Sequence, residues 1–317
     1  SKKNYKKMKY LITGTAGFIG YHLAEELLKN KKNKVFGIDN LNNYYSVKVK
    51  KSRNLKLKKY KNYYFFKNDI TQSKKIEKIF KEISPDIVIN LAAQAGVRYS
   101  IENPSSYINS NLIGFFNILY LSNKYKVKHF FYASSSSVYG NQKKLPIKIN
   151  SSTDHPLSLY AATKKSNEII AESYSNIFKM KCSGFRFFTN YGNYGRPDMS
   201  IYKFCELMSK NRPIEVFNKG NHNRDFTHIS DSIKLLKIII KKRLNENGHK
   251  VFNIASGKKI ALMKIIRLIE KEMGFPAKIN FKSMQKGDVK ETHASIEETK
   301  NYTKYKPSKK IQEGIKE

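Results

Sequence analysis

No apolar run in the 317-residue chain reaches the 18 or more residues that a membrane-spanning helix needs. The longest apolar patches, such as Leu235 to Ile240, are interrupted or bounded by lysines. The basic stretch Ser1 to Lys9 leads straight into a strand-like run, with no apolar segment of secretory length and no cleavage site, so no leader is expected. Cysteine is nearly missing. Cys182 and Cys205 cannot make a disulfide framework, and neither they nor the seven histidines show metal-ligand spacing. The expectation is a reduced, cytoplasmic protein without a metal. Cys182 lies in an apolar strand and reads as core. Internal repeats are absent, and the only low-complexity signal is lysine.

Acidic residues are scarce as well: 25 against 61 basic ones, a formal net charge of +36. Such a balance raises a nucleic-acid reading. The excess is almost all lysine scattered through every segment, however, with no stripe of arginine and aromatics on one face. It reads as a solvated surface whose field draws anionic substrates. No specific nucleic acid and no membrane are expected as partners.

What is present is a strand–helix alternation. Strands are expected at Lys9–Thr13, Lys34–Asp39, Tyr63–Asp69, Asp86–Ala92, Phe130–Ser135 and Lys181–Phe188. Helices are expected near Gly17–Asn30, Ser73–Ile83, Pro104–Tyr125 and Ser158–Phe178. This predicts an α/β fold, a Rossmann-type doubly wound parallel sheet whose strands are apolar on both faces. The expected domains are a dinucleotide-binding one over 8–188 and a smaller substrate-binding lobe over 189–317, with segment 226–256 returning to the first. Val47–Tyr60 reads as a basic helix of unknown role.

Gly14-Thr15-Ala16-Gly17-Phe18-Ile19-Gly20 follows the first strand and opens a helix. Gly14 allows a tight turn, Gly17 lets a pyrophosphate approach, and Gly20 lets the helix pack close; the helix N-terminus then holds the phosphates. The spacing is G-x-x-G-x-x-G, so a plain glycine turn is the competing reading. Asp39, 19 residues past Gly20 at the end of the next strand, is placed to accept from both ribose hydroxyls. No Arg or Lys lies within Asn40–Val47 to hold a 2′-phosphate, which favours NAD over NADP. Asp69 and Ile70 follow the third strand, where an adenine could be gripped. Ala92 and Ala93 are small where backbone must pass close to a cofactor; tight packing explains them equally well.

Tyr160 and Lys164 stand at i and i+4 on one helix face. A phenol with an ordinary pKa near 10 is a poor base at neutral pH, and a neighbouring ammonium favours its phenolate. The helix follows a strand that ends in Ser134-Ser135-Ser136-Ser137-Val138-Tyr139-Gly140, which can set a hydroxyl beside that phenol. Lys164 is also able to reach a nicotinamide ribose. YxxxK alone is worth little in a lysine-rich chain; its position after the glycine turn, Asp39 and the serine-ended strand gives it force.

From Leu11 to about Gly314 the chain resembles the extended short-chain dehydrogenase/reductases of the NAD-dependent epimerase/dehydratase family, and among them the UDP-glucuronate 4-epimerases. Stretches carrying the resemblance include Gly37 to Tyr45, Ala92 to Ser100, Tyr132 to Gly140, His155 to Lys165, Gly195 to Met199, Arg224 to Thr227 and Gln285 to Val289. The resemblance implies Tyr160 as catalytic base, Lys164 as its partner and Ser135 as the assisting hydroxyl. Asn40 and Asn111 fall on its cofactor side. Arg98, Ser136 and Ser137 fall on its substrate side, Thr189 and Arg196 on positions that recognise a uronate carboxylate, and Arg224 on a diphosphate contact. It also implies a homodimer through the helices Pro104–Tyr125 and Ser158–Phe178. Asn190 and the pair Asn193-Tyr194 depart from the family pattern and are expected to border the sugar pocket. A UDP-sugar is the implied substrate. Competing readings are a neutral UDP-glucose or UDP-N-acetylglucosamine 4-epimerase, a decarboxylase or 4,6-dehydratase, and an NAD-fold protein that binds RNA.

Overall fold

The computed structural model describes residues 7–285 and 287–317; Ser1 to Lys6 of the basic N-terminal stretch and Lys286 of the Gln285–Val289 motif lie outside the described residues. Seven parallel strands form the central sheet in the order β10-β6-β5-β4-β1-β2-β3. They are β1 (Lys9–Thr13), β2 (Lys34–Ile38), β3 (Tyr63–Phe66), β4 (Ile87–Asn90), β5 (His129–Ser135), β6 (Cys182–Phe187) and β10 (His249–Ile254). Between β6 and β10 come β7 (Thr189–Tyr191), β8 (Ile214–Phe217) and β9 (Asn223–His228); β11 (Lys259–Ala261) and β12 (Ile279–Lys282) follow. A three-stranded sheet, β11-β9-β7, and a two-stranded one, β12-β8, are built from these.

Alternation along the central strands feeds two cores. Tyr10, Ile12, Ile87 and Ile89 face one side, with helices α1 (Phe18–Leu28) and α9 (Ile229–Arg243) laid over them. Leu11 and Val88 point the other way, beneath α3 (Ser73–Ile83), α6 (Phe115–Lys124) and α7 (Leu159–Phe178). Helix α3 shows the sequence logic plainly: Ile76, Ile79, Phe80 and Ile83 recur at helical spacing and are its buried residues. A third core, with Ile214, Val216, Ile265, Ile266 and Ile269, lies between β8, α8 (Ser200–Ser209) and α10 (Leu262–Met273).

One expected helix is not continuous. The stretch Pro104–Tyr125 comprises a short α5 (Pro104–Tyr107), a π-helical segment (Ile108–Gly114) and α6, preceded by a short α4 (Tyr99–Glu102). Asn111, within the wide turn, explains the difference. Its Nδ2 donates to Gln94 O at 3.0 Å and to Thr163 Oγ1 at 3.1 Å, and its backbone oxygen accepts from Asn167 Nδ2 at 2.7 Å. These bonds tie the wide turn to Gln94 and to α7. The basic helix α2 (Val47–Leu57) is also not a solvated rod: Lys50, Arg53, Asn54 and Leu57 are buried on one face.

Ile89 lies in β4, wholly buried between β1 and β5. Ile89→Ala should lower stability by about 2–5 kcal/mol, seen in urea unfolding as a lower midpoint with unchanged slope.

Candidate active site

A cleft of about 1010 Å³ opens at the C-terminal ends of the central strands, where the order reverses between β1 and β4. That is where an open parallel sheet leaves a crevice for ligands.

The glycine turn forms one wall. Gly14 has φ +77°, and a Cβ there would lie 2.8 Å from Ala92 N; a Cβ on Gly20 would lie 2.0 Å from Gly14 O. Only glycine permits so close a passage of strand, turn and helix. Beyond the turn, Asp39 accepts from Ala16 N at 3.1 Å and from Leu41 N at 2.9 Å. Burial raises its pKa against these bonds. Asn40 donates to Asp69 Oδ2 at 2.7 Å, so two predicted residues brace each other. Phe18, Ile19, Ile70, Ala92 and Ala93 line the same wall as Gly17. A glycine cradle closed to any Cβ, with an acid at the next strand end, fits a dinucleotide with free ribose hydroxyls.

The floor is the junction of β5 with α7. Ser158 caps α7, its hydroxyl accepting from Ala161 N at 3.1 Å. Two residues on, Tyr160 projects into the cleft. One turn later the buried Lys164 donates from Nζ to Ala133 O at 2.8 Å. Burial brings its ammonium down to about 8. The Tyr160 phenol is pushed up by burial, while the neighbouring Ser135 hydroxyl and the charge of Arg196 pull it down. Ser135 sits at the end of β5, its Oγ accepting from Ser137 N at 3.1 Å. Another turn along α7, Glu168 accepts Ser134 Oγ at 2.6 Å and both Arg186 Nε (2.8 Å) and Nη2 (2.7 Å), a buried bidentate pair linking β5, β6 and α7.

The opposite wall comes from the later strands. Thr189 begins β7, Arg196 lies in the loop beyond it, and Arg224 lies in β9; all three line the cleft with Ser136 and Ser137. Arg224 Nη2 donates to Asp288 Oδ1 at 2.8 Å and Val289 O at 2.6 Å. Arg98, an exposed residue at the rim, lays its guanidinium 5.1 Å from the centre of the Phe217 ring.

Two expectations need correction, those for Asn111 and for the pair Asn193-Tyr194. Asn111 does not line the cleft: its Oδ1 accepts Gln94 N at 2.8 Å and its Nδ2 is engaged as above, so it braces the Ala92–Gly96 backbone against α7. Asn190 does line the cleft, its side chain held in place by donating to Phe188 O and accepting from Ser232 Oγ. Asn193 and Tyr194 face α1 and α2: His22 bonds Asn193 O, and the Tyr194 ring packs on Tyr21 at 5.3 Å. Sequence reasoning missed Arg53. Its guanidinium donates to Ala16 O, Tyr45 Oη, Tyr194 O and Gly195 O, tying the glycine turn to the arm that carries Arg196. The available signal was the spacing of Lys50, Arg53 and Leu57 on one face of α2.

Fold and cleft together place the molecule in the extended short-chain dehydrogenase/reductase class. Within it, the chain belongs to the family described as GDP-mannose 4,6 dehydratase, whose model matches residues 11–317. It is 43% identical to Protein CapI of Staphylococcus aureus, over 97% of this chain and 96% of that protein. It is 41% identical to the UDP-glucuronate 4-epimerase of Thermodesulfobacterium geofontis, over 97% and 94%. The crystal structure of the Bacillus cereus UDP-glucuronic acid 4-epimerase in complex with UDP-glucuronic acid and NAD superposes with a TM-score of 0.89 at 32% identity, covering 97% of this chain and 96% of that one.

Ser135 holds the Tyr160 phenol lower, so its removal leaves the phenol higher, and a reaction that needs Tyr160 ionised would then run only at higher pH. Ser135→Ala should move the acidic limb of kcat/KM up by about one pH unit and lower kcat by about 10²-fold. A pH–rate profile checks both.

Proposed function

We propose that the chain is an NAD-dependent epimerase that inverts C4 of a UDP-hexuronate, converting UDP-glucuronate to UDP-galacturonate. The observation that carries this reading is the meeting of Tyr160, Ser135 and Lys164 in one cleft between the glycine–Asp39 wall and the Thr189–Arg196–Arg224 wall. The named relatives at 32% and 41% identity support the choice of sugar nucleotide.

The glycine turn, Asp39, Asp69 and Lys164 would hold the cofactor. Bound NAD⁺ supplies reversible hydride acceptance from C4. Tyr160 as phenolate takes the C4 hydroxyl proton, with Ser135 passing it along the line of hydroxyls, and Lys164 favours the ionised phenol. Arg224 anchors the diphosphate while the 4-keto sugar turns over, after which Tyr160 returns the proton. Arg196 and Thr189 hold the C6 carboxylate near the ring plane. A 4-keto uronate is a β-keto acid, and that grip keeps the C5–C6 bond out of line with the carbonyl π system.

Ser136 and Ser137 carry no carboxylate, so the two positions after Ser135 supply no acid for a dehydratase or decarboxylase proton shuttle. One observation favours the neutral-sugar reading: an internal acid, Asp198, already neutralises Arg196. We also read the chain as two lobes, 8–188 with 226–256 and 189–317. Among the described residues no helix is long and apolar enough to cross a membrane; a cytoplasmic site of action fits the cysteine usage. Ile113, Phe116 and Tyr120 on the π–α6 segment and Ile169, Ile177 and Phe178 on α7 stand exposed. They form an apolar surface suited to a homodimer.

NMR of products from separate UDP-glucuronate, UDP-glucose and UDP-N-acetylglucosamine incubations should show C4 inversion of UDP-glucuronate fastest, lost by about 10³-fold or more in Tyr160→Phe. Faster turnover of a neutral sugar selects the second reading. Light scattering should give a dimer mass, and Phe116→Asp should return a monomer.

A further inference from the structure

Arg196 is held by a neighbour in its own loop. Its Nε donates to Asp198 Oδ1 at 3.0 Å, and its Nη2 donates to Asp198 Oδ2. Tyr44, from the loop after β2, donates its hydroxyl to that same Oδ2 at 3.1 Å. Tyr44 is itself fixed: its ring packs 4.8 Å from that of Tyr99, and its hydroxyl closes over Gly96, where a Cβ would come within 2.5 Å of it. The acid is thus gripped from both sides of the cleft. Among the described residues nothing accepts from Arg196 Nη1. A guanidinium offers a carboxylate two matching edges, the side edge Nε–Nη2 and the end edge Nη1–Nη2. Asp198 occupies the first and leaves the second.

We propose that Asp198 is a positioning residue: it fixes the Arg196 guanidinium by its side edge so that the end edge meets the C6 carboxylate of a hexuronate and holds it still through the 4-keto stage. This rests on the hexuronate reading above. The consequence is chemical. If the carboxylate swings until C5–C6 lies along the C4 carbonyl π system, that bond breaks. Its electron pair passes into a C4–C5 enolate, CO₂ leaves with C6, and C5 takes up a proton, giving a 4-keto pentose. A firmly held guanidinium keeps the bond away from that alignment.

Replacing Asp198 by Asn separates geometry from charge. Asn holds one edge bond at most, so the guanidinium swings. Removing the negative charge meanwhile leaves Arg196 more attractive to an anion. Affinity and accuracy should therefore part, which they would not do if Asp198 only stabilised the fold. The groups facing Tyr160 are Lys164 on its own helix, Ser135 from β5, Tyr107 from α5 at 6.1 Å between rings, and the Arg196–Asp198 pair. Asp198 raises the phenol and Arg196 lowers it, so the variant's acidic limb should move to lower pH.

The test compares wild type, Asp198→Asn, Asp198→Glu and Tyr44→Phe, each with bound cofactor. Calorimetric titration gives the UDP-glucuronate Kd, NMR gives the pentose-to-hexuronate ratio, and kcat is followed against pH. Asp198→Asn should keep or tighten Kd, lower kcat by about tenfold or more and raise the pentose share by about tenfold. Asp198→Glu should recover most of the loss, and Tyr44→Phe should shift the ratio the same way by less. An unchanged kcat and product ratio in Asp198→Asn overturns the proposal. If that variant does not fold, an unchanged ratio in Tyr44→Phe overturns it. No turnover of UDP-glucuronate by wild type is a different failure, that of the hexuronate reading itself.

Discussion

The ammonium of Lys164, donating from inside the protein to Ala133 O, sets the position of everything around it. An ammonium is costly to bury, and among the described residues this one bonds a backbone carbonyl and pairs with no carboxylate; burial brings it down to about 8. The bond pins α7 to the C-terminal end of β5. Tyr160, one helical turn before, then stands where β5 releases Ser135, and Glu168, one turn after, reaches Ser134 and Arg186. Three residues at spacing four thus run as a polar line along a helix that otherwise buries small side chains against the sheet. The line ends in a phenol whose protonation responds to its neighbours.

The two walls are joined as well as facing. Arg53 bonds the glycine turn through Ala16 O and the opposite arm through Tyr194 O and Gly195 O, one residue before Arg196. Tyr44 reaches Asp198 across the same gap. The glycine turn and the Arg196 arm are thus tied to one another by these struts. That suits a reaction in which the sugar must turn while its anchors do not.

Much of this was legible in the residues. Strand β1 and helix α3 run as their periodicity dictates, and the glycine turn, Asp39, the serine-ended strand and Tyr160–Lys164 come together in the cleft in the order their spacing implied. What escaped has physical causes. Lysines all round α2 hid the face on which Lys50 and Arg53 turn inward, because a buried cation and a solvated one look alike in sequence. The π-helical turn at Asn111 depends on Gln94 and Thr163, which lie 17 and 52 residues away. Tyr194 differs from the family pattern yet packs on Tyr21 behind the wall, and position along the chain does not reveal that direction.

The central physical claim is that one carbon of the sugar is oxidised and reduced again without leaving the cleft. UDP-glucuronate carrying deuterium at C4 tests it most directly. Deuterium retained at C4 of the inverted product, with none in the water, is the predicted result. Inversion accompanied by loss of the label to solvent would contradict it.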